Sequence, residues 1–151
     1  MAAEYLANTL QSVNLNSPVI FTASIPCTKG YVYHEDETGI FILRGIVNNP
    51  CAQFATYRIT YNGNIALPTG GTVAPIALAV TINGEERPTS KAIYTPAAVS
   101  DFGNVTCTCI VKIPRGCCFT LSVDAVPANT TDTPASAIDV QNSNLVIDRI
   151  A

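Results

Sequence analysis

Tryptophan is absent from this 151-residue chain, histidine and methionine occur once each, and charged residues make up only 13% of it. Each shortage excludes something. Without tryptophan, and with aromatics at 7%, a platform for stacking sugars or bases has little to be built from. The single histidine, His34, denies the chain the several imidazoles of a cupin-type centre, and any Ser-His-Asp triad would have to run through it. No Gly-x-Ser-x-Gly elbow, phosphate loop, dinucleotide fingerprint or His-Glu-x-x-His motif is present. A formal net charge of −3, with no basic cluster, argues against a general nucleic-acid binder. No apolar run is long enough to span a bilayer, so membrane insertion is not expected. Residues 1–17 have neither the basic n-region nor the long apolar h-region of a secretory signal. Two readings stay open: a mature form, or a chain that leaves the cytoplasm without a signal, as virion proteins released by lysis and spore-coat proteins do.

What the chain has is alternation. Residues 19–25, 31–34, 40–47, 51–65, 75–83, 91–95, 105–113, 117–125, 138–140 and 145–150 read as strands, with ten prolines and nine glycines spaced between them. In the long central segment Ala55, Tyr57, Ile59 and Tyr61 share one face, with Thr56, Arg58 and Thr60 on the other. Asn83-Gly84 is the strongest hairpin signal. The parity of apolar positions changes between Val140 and Leu145, which predicts a bulge at Asn142-Ser143-Asn144. Residues 40–47 are apolar on both faces, as expected of a strand covered on both sides. Residues 4–15 carry only weak helical spacing, so residues 1–17 are read as a short N-terminal arm and 18–151 as one domain. The expected class is all-β, a jelly-roll β-sandwich.

Four of the six cysteines fall within residues 105–125, which read as a hairpin turning at Pro114-Arg115-Gly116. Parity puts Cys107, Cys109 and Cys117 toward the core and Cys118 toward the surface. In that register Cys107 and Cys109 lie too far down the strand to share a zinc ion with Cys117. Three readings remain: small apolar fillers of strands, an intrachain pair of Cys27 with Cys51 (both flank loops), and an inter-subunit disulfide through Cys118. His34 adjoins Glu35, Asp36 and Glu37. These acids could form a ligand loop, but the segment lacks the alternating Asp/Asn pattern of a calcium loop and reads as a solvated turn. No catalytic residue, metal or cofactor is expected.

Three segments taken together carry a resemblance: Tyr57-Arg58-Ile59-Thr60-Tyr61; residues 75–84 followed by Arg87-Pro88; and the pair 111–123 with 138–150. Their order is similar to the C-terminal domain of collagen-like exosporium glycoproteins of spore-forming bacteria, over roughly residues 39–150. That resemblance implies a jelly roll of the tumour-necrosis-factor/complement type that forms homotrimers. The Gly-X-Y stalk is missing here, and the cysteine-rich stretch is not part of the family pattern. Trimerisation also has a physical reading, because a closed three-fold contact would cover apolar strand faces on a chain so poor in charge. The expected function is therefore structural and non-enzymatic: a homotrimeric exterior component of a larger assembly, a phage capsid decoration or fibre, or a spore or cell-surface layer. The alternative is a receptor- or glycan-binding module using residues 35–38 and 127–135.

Overall fold

The computed structural model describes residues 2–25 and 30–151. Twelve strands occur among them: β1 (Ala2–Ala7), β2 (Gln11–Asn14), β3 (Ala23–Ile25), β4 (Val32–His34), β5 (Phe41–Arg44), β6 (Phe54–Ala66), β7 (Ile76–Ile82), β8 (Glu85–Glu86), β9 (Ala92–Tyr94), β10 (Gly103–Pro114), β11 (Cys118–Val126) and β12 (Ala137–Arg149). One 3-10 turn, Pro88–Ser90, lies between β8 and β9. The strands form two antiparallel sheets. The first runs β10-β6-β12-β1-β3, with β2 sharing the β1 side of β12. The second runs β4-β5-β11-β7-β8, with β9 beside β8 on the far edge of β7. The chain crosses between sheets after β3, β5, β6, β9, β10 and β11, giving the expected jelly-roll β-sandwich.

Alternation places the core. Ala55, Tyr57, Ile59 and Tyr61 of β6 are fully buried, and Val105, Cys107, Val111 and Ile113 of β10 join them. Facing them are Phe41, Leu43, Leu78, Val80, Leu121 and Val123 of the second sheet. Ring contacts tie the layers together: Tyr5 packs edge-on against Phe41 at 4.6 Å, and Phe21 against Phe41 at 5.6 Å. The Asn83-Gly84 turn forms as expected, with both residues at positive φ (53° and 81°). The bulge in β12 also forms. Its register against β6 shifts between Gln141 and Asn144, with Asn142 at φ 54°. The bulge turns Ser143 inward, where its hydroxyl meets Tyr61 Oη at 2.9 Å. Gly63 leaves room for the Tyr61 ring to lie along its own strand, since a Cβ there would collide with the Tyr61 hydroxyl.

Three expectations need correction. The N-terminal segment is not an arm. β1 lies between β12 and β3, pairing with residues 143–148 over its whole length, and Ala3, Tyr5, Ala7 and Val13 are core residues. Its alternation, Ala3-Tyr5-Ala7, was masked by two small residues. Second, the cysteine-rich stretch is not a hairpin. β10 pairs with β6 in the first sheet, and β11 pairs with β5 and β7 in the second. A hairpin and a corner between two facing sheets bury the same alternate residues, so parity alone cannot separate them. Third, only Phe41–Arg44 of residues 40–47 is strand; Ile40 is 45% and Val47 76% exposed.

Candidate interaction surfaces

Sheet edges and loop tips are where this sandwich meets its surroundings. β10 is a twelve-residue edge strand, and its unpaired side is a row of backbone donors and acceptors of the kind folded proteins normally blunt or cover. Arg87 Nη2 donates to Ile110 O at 3.1 Å and covers one point of the row. Three large apolar side chains are exposed around this side of the sandwich: Ile93 of β9 (55%), on the outer face of the second sheet, Phe102 just before β10, and Ile110 of β10 (56%), on the outer face of the first sheet. Toward the opposite side of the first sheet Leu10, Ile20 and Ile25 are also exposed. Apart from Ile110, the outward rows of β6 and β10 are largely polar. Thr60 and Thr108 meet at 3.4 Å, Asn104 Nδ2 donates to Asn62 Oδ1 at 2.8 Å, and Arg58 pairs with Asp148 at 2.9 Å.

The acidic loop is held by its own backbone. The Thr38 amide and hydroxyl both donate to Glu35 O, at 3.2 and 2.8 Å. Glu35, Asp36 and Glu37 are exposed. His34 is spent on packing: its ring stacks on Phe41 (4.4 Å, 16°) and its Nε2 lies 2.8 Å from Thr38 O. Among the described residues no group of three or more His, Cys, Asp or Glu side chains is arranged to hold a metal. In the other loop, Asn129 Oδ1 accepts from the Thr131 and Asp132 amides at 3.1 and 2.8 Å. Its later residues Thr133, Pro134 and Ala135 wall a groove of about 420 Å³ against Leu67, Pro68 and Gly71. Glu35–Glu37 do not line that groove, so the structure does not bring the two loops into one site.

The cysteines divide into two populations. Cys107 and Cys109 face inward on β10. Burial pushes the Cys107 thiol up to about 11 and raises the Cys109 thiol as well, so both are poor nucleophiles at neutral pH. Cys51, Cys117 and Cys118 are exposed. For Cys118 this agrees with the sequence reading. Cys117 was expected in the core, but the Pro114–Cys117 turn, with Gly116 at φ 79°, carries it outward before β11 begins. Cys27 lies outside the described residues, and with it the Cys27–Cys51 pair.

Asp124 is half-buried on the outer face of the second sheet. Burial raises its carboxyl above the ordinary value, and the Ser122 and Thr81 hydroxyls act in the opposite sense. A carboxyl raised on folding holds protons that the unfolded chain has already released, so its contribution to stability falls as pH rises from the ordinary carboxylate value through the raised one. Asp124→Asn should therefore flatten that slope and raise the melting temperature near neutral pH more than at about pH 4. Equal shifts at both pH values would refute the assignment.

No family model matches the chain, and no curated protein sequence does. Solved structures are similar in fold. The globular domain of zebrafish complement 1qA protein superposes with a TM-score of 0.64 at 11% identity, over 99% of this chain and 96% of that one. Eiger TNF from S. frugiperda gives 0.66 at 11% identity, over 100% and 92%. Murine APRIL at pH 5.0 gives 0.57 at 10% identity, over 99% and 98%. The fold is thus a jelly roll of the complement 1q/tumour-necrosis-factor kind.

Proposed function

We propose that the protein is a non-enzymatic structural module that assembles into a homotrimer and forms an exterior component of a larger assembly: a phage capsid decoration or fibre, or a spore or cell-surface layer. The observation that carries this reading is the long unpaired edge of β10, with exposed apolar side chains on the two strands that end there, Ile93 of β9 and Ile110 of β10. A ring closed by three-fold symmetry needs a heterologous contact between two different surfaces on each subunit. The β9/β10 edge is one such surface, and the side bearing Leu10, Ile20 and Ile25 is the other. The low charge of the chain supports it, as does the resemblance to trimeric exosporium domains. The use of His34 as a packing residue supports the absence of catalysis.

Light scattering of the reduced protein tests the trimer. The wild type should have three times the chain mass, and Ile93→Asp/Ile110→Asp should be monomeric with an unchanged far-ultraviolet spectrum. A wild type that is monomeric at its highest soluble concentration would sink the reading. Electron microscopy of particles from the producing cells, labelled with an antibody to this chain, tests the exterior location.

One observation favours a second reading, a glycan- or receptor-binding module: the groove walled by residues 133–135 and 67–71. A glycan array comparing wild type with Thr133→Ala/Pro134→Ala separates the two. Binding lost in the variant supports a ligand module, and no binding by the wild type removes it.

A further inference from the structure

The corner between β10 and β11 and the loop between β5 and β6 are clamped together at one end of the sandwich. Arg115 N donates to Gln53 O at 2.8 Å, Gly116 N to Ile46 O at 3.1 Å and Gly45 N to Cys117 O at 2.9 Å. Arg115 Nη1 reaches Pro50 O at 2.8 Å, next to Cys51. Gly45 is required for this closeness, because a Cβ there would run into the Pro114 and Cys117 carbonyls. Thus Cys51, distant in sequence, stands on the same end as Cys117 and Cys118, and all three are exposed. Two further features share that end. Val47 (76% exposed) and Phe54 (47%) give it an apolar surface. Arg44, directly across the β5–β11 pair from Cys118, and Arg115 give it positive charge.

We propose that this end is a site of thiol–disulfide exchange that joins copies of this chain covalently. The occupant is a second copy because the reaction needs a protein thiol on both sides, and every copy presents three. The co-reactant is an anionic low-molecular-weight disulfide such as oxidised glutathione, which the two arginines attract. A Cys118 thiolate attacks that disulfide, forming a mixed disulfide and releasing one small thiolate. A cysteine thiolate on the same end of another copy then attacks the protein sulfur and releases the second. Each linkage consumes two protein thiols and one small disulfide and returns one protein disulfide and two small thiols. Apolar Val47 and Phe54 lose exposed surface as the two ends meet. With three thiols per copy, linkage continues past the dimer. This reading does not depend on the three-fold edge contact, which is measured under reducing conditions.

The full chain, reduced and freed of reductant, would be incubated with oxidised glutathione, quenched by alkylation and run under denaturing, non-reducing conditions. The expected result is a ladder of whole multiples of the chain mass that collapses with dithiothreitol. Peptide mapping should place the linkages at Cys51, Cys117 and Cys118. The ladder should persist in Cys27→Ser and be lost in Cys51→Ser/Cys117→Ser/Cys118→Ser, whose changes are all at exposed positions. Monomers carrying only glutathione adducts or intrachain disulfides would overturn the proposal. A ladder that survives in the triple variant or vanishes in Cys27→Ser would do the same.

Discussion

Deleting residues 2–14 should abolish the fold. β1 and β2 occupy one whole side of β12, the thirteen-residue closing strand, and β3 is held in the sheet through β1. Their loss strips Tyr5 and Val13 from the core, and with Tyr5 goes the edge-on contact to Phe41. Burial of each such large side chain is worth about 1.5–3 kcal/mol. The backbone pairing of a central strand is lost as well, against a total stability of about 5–15 kcal/mol for a domain of this kind. A truncated chain should show no cooperative thermal transition and should expose hydrophobic surface to a reporter dye. A simple anchoring arm would behave differently: the truncated protein would melt like the full chain and merely fail to join its assembly. Circular dichroism over a temperature ramp decides between the two.

The second large effect is expected at Tyr57. Its ring is fully buried at the middle of the inward row of β6. Its hydroxyl lies 2.5 Å from Arg44 O and 3.2 Å from Tyr31 O, joining β6 of one sheet to the β4–β5 side of the other. Tyr57→Ala empties a ring-sized volume that neighbouring strands cannot collapse to fill, at a cost of about 3–5 kcal/mol. Tyr57→Phe keeps the ring and loses only the hydroxyl. Tyr31 O still accepts from Arg44 N at 3.0 Å, so this change should cost only about 1 kcal/mol. Urea unfolding of the two variants measures both numbers. Near-equal losses would mean that the hydrogen bonds, rather than the packed ring, carry the contribution of this residue. Tyr57→Ala should also loosen the end bearing Cys51, Cys117 and Cys118, because the Arg44 carbonyl it anchors leads directly into the loop before Cys51.

The composition of the chain and the period of its strands were enough to name an all-β sandwich, its inward rows, the Asn83-Gly84 turn and the bulge ahead of Leu145. All four are local consequences of side chains alternating across a pleated backbone. Partners were not legible, because parity says which residues turn inward but not which strand lies alongside. Hence residues 105–125 read as a hairpin when they are a corner joining two sheets, and residues 2–14 read as an arm when they close the first sheet. The interaction surfaces were hidden for the same reason: that β10 is an unpaired edge, with β9 on the matching side of the other sheet, follows from strand order and not from parity. The tertiary structure alone decided the fate of the cysteines. Four of them crowd one stretch of sequence, yet Cys107 and Cys109 sink into the core. Cys51 arrives from elsewhere to stand with Cys117 and Cys118, because backbone hydrogen bonds between two distant loops fix that end of the sandwich.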